Sequence, residues 1–234
     1  MELLEPSLVF ETFRGNPLSP VQQVCVALNN YAGGQFQRIT GLCGGISQTG
    51  ARLALIRVTD ALVDIKHQFV KMPKTDEMED TSQRMLNRFH LPRFSMAVDG
   101  MMVRFSEAPR GLPPDKDTQQ FWCRKQFYAL NVQVVANDEF IYDLDCGWPG
   151  QTHDARIWNR SEVKAYIEEQ RRFLIAGDSA YPISENLIKP YSTGEAAGDR
   201  RKRLFNRRLS GLRTVMSENV YGVYGNAYFP SLNL

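Results

Sequence analysis

The chain has 234 residues, and its 28 Lys and Arg nearly balance its 26 Asp and Glu, which leaves a net charge of +2. A hydrophobic fraction of 43% with 13 Phe, 9 Tyr and 3 Trp excludes a disordered, collagen-like or coiled-coil chain. The sequence contains no apolar run of the roughly 18 residues that a membrane span needs, and its start lacks the pattern of a signal peptide. We therefore expect a folded intracellular protein of one large domain or two small ones.

The first part of the chain, residues 1–93, predicts a small helical domain of helix-turn-helix type. Ser19 followed by Pro20 is a typical helix start, and Ser47 begins a longer helix after a glycine turn. Apolar spacings of three and four residues in that longer helix predict a buried stripe of Ala51, Leu55, Val58, Leu62, Ile65 and Phe69. Gln48 and Arg52, at its start, are candidate DNA contacts, with a plain packing unit as the alternative.

The second part, residues 94–234, predicts an α/β (α+β) domain with a mixed sheet flanked by helices. Alternating or continuous apolar residues indicate strands at residues 94–105, 127–135, 140–146 and 173–177. A turn joins the second and third strands into a hairpin, and a helix over residues 154–170 precedes the fourth strand. We expect that fourth strand to be parallel and buried, because its residues are continuously apolar.

Three acidic residues are the candidate catalytic and metal-binding set. Asp99 interrupts an apolar strand, where a carboxylate is costly without a cationic partner; the alternative is an edge-strand acid that faces solvent. Asp178 follows the buried strand, at the edge where open α/β sheets bind ligands, although Gly-Asp-Ser is also a common turn. Glu218 lies in a short predicted helix, where an exposed Glu is ordinary. The order of strands and helices that carry these acids resembles that of ribonuclease-H-like nucleases, whose carboxylates hold two divalent ions. Mg²⁺ suits such oxygen ligands.

From Leu18 almost to its end, the chain resembles the Harbinger transposase-derived nuclease family, the PIF/Harbinger group of DDE transposases. The similarity rests on the order and spacing of AVDG, CGWPGQTHDARIW, LIAGDSAYP and FNRRLSGLRTVMSENVYG. The resemblance implies metal-binding DDE roles for Asp99, Asp178 and Glu218, which are separated by 79 and 40 residues. It implies Mg²⁺ or Mn²⁺ as the divalent cofactor and a ribonuclease-H-like fold for residues 94–234.

Two departures from the family pattern affect the expected domain. Met101-Met102 stands where the family often has a Thr-His or Met-His pair, which affects the tuning of the site. The family continues well beyond its glutamate, whereas this chain ends 16 residues after Glu218. We therefore expect a C-terminally truncated nuclease domain.

Two further groups of side chains are secondary candidates. His153 and Asp154 belong to the matching segment and could support the metal ligands, with the first turn of a helix as the alternative role. The stretch between Arg200 and Arg213 holds seven basic residues and no acidic one. Its position between the second and third acids favours phosphate contacts by Arg200, Arg201, Lys202, Arg203, Arg207 and Arg208. Tyr181 and Trp148 could stack on a base or belong to the core.

The expected function is metal-dependent cleavage of DNA phosphodiester bonds by a two-metal DDE mechanism. The main alternative is a domesticated, catalytically silent protein that binds DNA or a partner on the same fold. A phosphatase-like hydrolase with a small-molecule pocket is a third possibility. The resemblance further implies a separate Myb-like DNA-binding partner, a homo-oligomer and a location in the nucleus, with the cytoplasm as an additional compartment.

Overall fold

The computed structural model describes residues 1–10, 17–33, 37–105, 107–111 and 117–224, with side chains described up to residue 216. The chain divides into two compact units, one formed by Met1–Phe69 and the other beginning at Val70. Within the described ranges, no helix is long and apolar enough to cross a membrane.

The first unit is helical, and its helix starts follow the predicted capping signals. Its helices are α1 (Glu5–Leu8), α2 (Pro20–Gly33), α3 (Gln37–Cys43) and α4 (Gln48–Phe69). The Ser19 amide donates to Gln22 Oε1 and the Gln22 amide donates to Ser19 Oγ, which is a reciprocal capping box. Ser47 Oγ accepts from the Gly50 amide and caps the start of α4 with this single hydrogen bond.

The buried face of α4 is narrower than the predicted stripe. Ala51, Leu55 and Val58 are buried as expected, but Leu62 and Phe69 are 40% and 60% exposed. The predicted burial of these two residues is wrong, because small side chains, Ala54 and Ala61, occupy the covered side of the helix instead.

The second unit contains a mixed sheet flanked by helices, which confirms the predicted α/β fold class. Its strands are β1 (Phe94–Arg104), β2 (Ala129–Ala136), β3 (Ile141–Pro149), β4 (Leu174–Ala176) and β5 (Leu187–Ile188), in the order β3-β2-β1-β4-β5. The first three strands pair antiparallel, and β4 and β5 then add to β1 in parallel. The last residues of β4 and β5, Ala176 and Ile188, therefore lie beside Ala97 of β1, which continues beyond them to Arg104.

Helices cover both faces of the sheet and give it two cores. They are α5 (Thr75–Phe89), α6 (Asp154–Trp158), α7 (Glu162–Glu169), α8 (Thr193–Ala196) and α9 (Arg200–Tyr224). On one face Val98 packs in a core with Trp158 of α6 and Val163 of α7. On the other face, Ala97 packs with side chains of α9, namely Leu209, Leu212 and Met216.

The helices differ from the sequence prediction in three places. The helix predicted over residues 154–170 is two helices, because Ser161 Oγ accepts from the Val163 amide and starts α7 anew. The basic stretch and the predicted short helix around Glu218 form one continuous helix, α9. The sequence places the domain boundary after residue 93, whereas α5 lies in the second unit, where Met78 and Met85 belong to its two cores.

Candidate active site

Asp99 lies on β1, just beyond the point where this strand stops pairing with β4. The parallel pairing ends at Ala97 and Ala176, and β1 continues alone on that side to Arg104. Because side chains alternate along a strand, Asp99 shares the sheet face of Ala97, which is the face covered by α9. Its carboxylate therefore projects toward α9 at the edge where β4 ends.

Asp178 occupies the equivalent position after β4. It lies two residues beyond Ala176, as Asp99 lies two residues beyond Ala97. Gly177 makes the turn possible, since a Cβ there would lie 3.1 Å from Leu187 and from Tyr181. One carboxylate oxygen of Asp178 accepts from the Ala180 amide at 2.8 Å, so this side chain also stabilises the turn. The first two predicted acids thus come from neighbouring positions of adjacent parallel strands.

An arginine of α9 contacts the first of these acids. Arg213 Nη2 donates to Asp99 Oδ1 at 3.3 Å, and the two side chains are 24% and 29% exposed. The same oxygen accepts from the Gly100 amide at 3.1 Å. A cationic group therefore partly offsets the cost of placing a carboxylate on a largely buried strand.

The third predicted acid, Glu218, lies within α9, five residues after Arg213. Its side chain is outside the described residues. Among the side chains that are described, no group of three or more His, Cys, Asp or Glu is close enough to hold a metal ion. The convergence of all three acids accordingly stays a prediction, and the geometry covers Asp99 and Asp178.

Asp154 lies behind β1, on the opposite face from Asp99. A Cβ on Gly100 would lie 2.5 Å from Asp154 Oδ1, and Gly100 alternates with Asp99 along the strand. Asn131 of β2 donates from Nδ2 to Asp154 Oδ1 at 2.7 Å and to the Thr152 carbonyl at 2.9 Å. These contacts attach the start of α6 to the sheet. His153 is the exposed residue that precedes α6.

The basic stretch forms the first half of α9. Arg200, Arg201, Arg203 and Arg207 are exposed, and Lys202 and Arg208 are half-buried. Asp199 Oδ1 accepts from the amides of Arg201 and Lys202 and caps this end of the helix. The predicted phosphate-contacting residues and the arginine that contacts Asp99 therefore belong to one helix. Gln48 and Arg52 are exposed on α4 of the first unit.

Two aromatic candidates have structural contacts. Tyr181 is 1% exposed and packs edge-to-face on Trp158, so of its two sequence alternatives the structure supports the core position; the turn after Asp178 folds its ring inward. Trp148 is half-buried and donates from Nε1 to Asp145 Oδ1 at 2.9 Å.

Comparison with known proteins identifies the family. Residues 98–228, more than half of the chain, match the family described as DDE superfamily endonuclease. The chain belongs to the DDE superfamily endonucleases. The matched segment begins one residue before Asp99 and runs beyond Glu218, so it includes all three positions of the predicted DDE set.

Named relatives of the chain confirm the Harbinger resemblance. The Rattus norvegicus protein "Putative nuclease HARBI1" is 27% identical over 227 residues, which are 94% of this chain and 62% of the relative. The Homo sapiens protein of the same name is 26% identical, covering 93% and 61%. An Arabidopsis thaliana protein, "Protein ALP1-like", is 24% identical, covering 78% and 47%. The chain thus spans about six-tenths of the HARBI1 proteins.

Solved structures of the Mos1 transposase are more distant. The paired-end complex with the left transposon end has a TM-score of 0.26 and 13% identity, covering 95% of this chain and 84% of the other. The Mos1 mariner paired-end complex with Mn has a TM-score of 0.23 and 13% identity, covering 95% and 83%. The chain's own sheet order shows its mixed α/β fold class.

Sequence reasoning missed two residues that shape the site. Arg213 was counted only as the last member of the basic stretch, although it lies five residues before Glu218 on the same helix. Asn131 was passed over within the strand, although a polar residue in an apolar strand is a signal of a buried hydrogen bond. Both signals are present in the sequence, but their partners are distant along the chain.

Proposed function

We propose that this DDE endonuclease cleaves DNA phosphodiester bonds with divalent metal ions. The observation that carries the proposal is the equivalent placement of Asp99 and Asp178, each two residues beyond the last paired residues of β1 and β4. Two carboxylates at one sheet edge repel each other, and a cation between them removes that repulsion.

The donor set fits Mg²⁺ or Mn²⁺. Asp99 and Asp178 supply carboxylate oxygens from two strands, and both side chains are partly exposed and hence accessible to an ion. Glu218 of α9 is the proposed third ligand, in agreement with the family pattern. When bound, a pair of such ions lowers the pKa of an attacking water and stabilises the leaving oxygen.

The chain's own residues bind and orient the substrate. The exposed cations of α9 face solvent along one helix, which suits contacts with successive phosphates; they are Arg200, Arg201, Arg203 and Arg207. Gln48 and Arg52 of α4 are proposed as a second DNA contact, from the helical unit. Arg213 pairs with the Asp99 carboxylate through its hydrogen bond when no metal ion is bound.

A plasmid assay tests this function. We expect the wild type to nick supercoiled DNA with Mn²⁺ and not with EDTA. Asp99→Asn and Asp178→Asn should each reduce nicking to background, since each removes a charged metal ligand. Asp64→Asn, at an exposed position of α4, is the matched control and should nick as the wild type does. Equal nicking activity in all four proteins would contradict the proposed metal-dependent nuclease function.

A catalytically silent DNA-binding protein is the second candidate. The observation that favours it is the Arg213 contact with Asp99, because a guanidinium on a metal ligand competes with the metal ion. Such a protein would shift labelled duplex DNA in a binding assay and would leave supercoiled DNA intact with Mg²⁺ and with Mn²⁺. The same DNA preparation therefore separates the two candidates.

A nuclear location, a separate Myb-like partner and a homo-oligomer are also proposed, on the family resemblance. A fluorescent fusion should collect in the nucleus, alone or when the Myb-like protein is co-expressed. Light scattering of the purified chain measures its oligomeric state. Uniform fluorescence with the partner present would contradict the nuclear proposal.

A further inference from the structure

An exposed aromatic side chain lies at the same sheet edge as the candidate site. Tyr191 is 42% exposed and follows β5, three residues after Ile188, which pairs with Ala176 of β4. Asp178 follows β4 two residues after that same Ala176. Because β4 and β5 are parallel neighbours, the two loops leave the sheet together, and Lys189 Nζ donates to the Ser179 carbonyl between them.

The loop that carries Tyr191 is fixed to α9. The side chain of Asn206 accepts from the Tyr191 amide at 2.9 Å and donates to the Tyr191 carbonyl at 2.9 Å. The Phe205 ring packs against the Tyr191 ring with the centroids 5.6 Å apart and the planes at 69°. An aromatic side chain held in this way loses little conformational entropy when it binds a ligand.

One cation lies over the exposed ring, and it belongs to the basic stretch of α9. Lys202 Nζ lies 4.9 Å from the centroid of the Tyr191 ring, and exposed Arg201 and Arg203 flank Lys202 along α9. Surfaces that combine aromatic rings with a basic track are typical of proteins that bind single-stranded nucleic acids, since the ring stacks on a base and the cations contact the backbone. Phe140, although 60% exposed, follows the acidic Asp138-Glu139 pair and has the opposite local charge.

We infer that Tyr191 is the stacking platform for an unpaired nucleobase beside the cleaved phosphate. Bases inside a duplex already stack on both neighbours, so only a single-stranded or frayed nucleotide offers a face to this ring. The inference deepens the proposed nuclease function, on which it rests: the substrate class is DNA with an unpaired nucleotide next to the cleavage position.

Binding measured with two DNA forms tests the platform. The probes are a fluorescein-labelled single strand and a blunt duplex of the same sequence, with EDTA present and anisotropy as the readout. Tyr191→Ala should weaken binding to the single strand about tenfold, as the loss of one stacked base does, and should change duplex affinity less than about twofold. Tyr191→Phe should bind both probes as the wild type does, because the ring remains.

Two control variants and a salt series complete the design. Phe140→Ala should bind both probes normally. Arg207→Gln should weaken binding to both probes and reduce the dependence of log Kd on log salt concentration, whereas Tyr191→Ala should leave that slope unchanged, because it removes no charge. Thermal unfolding of each variant checks that it folds.

The outcomes are distinct for each failure. Equal weakening on single strand and duplex, loss in Tyr191→Phe, or full affinity in Tyr191→Ala would each overturn the stacking role. If the wild type nicks plasmid with Mn²⁺ in an Asp178-dependent way while Tyr191→Ala binds normally, the stacking inference alone is wrong. A wild type that binds neither DNA form overturns the inference and the proposed nuclease together.

Discussion

At the scale of single residues, the contact between Arg213 and Asp99 determines what a metal ion must displace. The ion pair is partly exposed, and such pairs contribute at most about 1 kcal/mol. A divalent ion binding Asp99 Oδ1 would replace the guanidinium and leave it available to a phosphate. In the metal-free protein, the Arg213 guanidinium therefore binds Asp99 weakly. We expect a metal ion to displace it easily.

Removal of the Arg213 guanidinium should strengthen metal binding at Asp99. We expect Arg213→Gln to bind Mn²⁺ about three- to fivefold more tightly than the wild type in calorimetric titration, since a competitor worth at most about 1 kcal/mol is lost. Arg207→Gln removes the same charge without touching Asp99 and should change the affinity much less. Weaker Mn²⁺ binding by Arg213→Gln would instead assign the arginine to orienting Asp99 for the metal.

Position 100 requires glycine, because a larger side chain would collide with Asp154. A methyl group there would meet Asp154 Oδ1 at 2.5 Å, and that oxygen is held by Asn131. We expect Gly100→Ala to reduce the free energy of unfolding by about 1–3 kcal/mol in urea denaturation. In the background of Asp154→Ala the same change should cost much less, as a double-mutant cycle would detect. Gly194→Ala, where the Cβ meets open space, is the control.

At the scale of secondary-structure elements, a polar cluster joins α5 to the β2–β3 hairpin. Arg84 of α5 donates from Nε and Nη2 to the two oxygens of Asp138, at 2.9 and 2.7 Å. Asn137 Nδ2 donates to Thr81 Oγ1 and to Tyr142 Oη, at 3.0 and 2.7 Å. Burial, helped by neighbouring carboxylates, raises the pKa of Tyr142 to about 12.

This raised pKa predicts an alkaline loss of stability. In the unfolded chain a Tyr ionises near its ordinary pKa of about 10, so the unfolded state loses its proton first as the pH rises. The contribution of Tyr142 is thus present in full below pH 10 and is lost between about pH 10 and 12, by roughly 2 kcal/mol. Urea denaturation should give Tyr142→Phe a smaller decline across this interval; an identical decline would contradict the burial of the phenol.

Local sequence patterns predicted which helices and strands exist better than where each of them ends. The capping pattern of Ser19 and the alternation in β2 and β3 are signals between near neighbours, and the structure has these elements where they were expected. The division between α6 and α7 was missed, because Ser161 also fits a helical pattern until its hydroxyl is seen to cap Val163. Burial on α4 failed for a different reason, since which side of a two-sided apolar helix is covered depends on its neighbours.

The acidic residues of the candidate site could be predicted from the sequence, but their partners could not. An acid inside an apolar strand and an acid directly after a buried strand are both visible in the sequence, so Asp99 and Asp178 could be named as candidates. The partner of Asp99 could not, because Arg213 lies 114 residues away and resembles its basic neighbours on α9. Tyr191 is equally inconspicuous in the sequence, since its exposure depends on the loop that Asn206 holds.

At the scale of the whole molecule, the position of α5 decides where the second unit can be cut. Met78 of α5 belongs to the core on the α6 and α7 face, and Met85 belongs to the core on the α9 face. Both side chains are 1% exposed. A second unit without α5 would lose apolar contacts on both faces of its sheet.

Two fragments test that dependence. A fragment of residues 70–234 should fold, with a cooperative urea transition followed by circular dichroism. A fragment of residues 94–234 should lose several kcal/mol, because each deleted buried methionine is worth about 2–5 kcal/mol, and should be unfolded or insoluble. Equal stability of the two fragments would contradict the assignment of α5 to this unit and would favour the boundary expected from sequence.

The continuity of α9 has a consequence for where a duplex would be cut. Arg200 and Arg213 are 13 residues apart on one unbroken helix, so about 20 Å separates the first cation from the contact with Asp99. That length corresponds to about six base pairs of DNA. With α9 lying along the DNA, the helix would thus fix the distance between the phosphates that contact Arg200 and the phosphodiester bond that is cleaved.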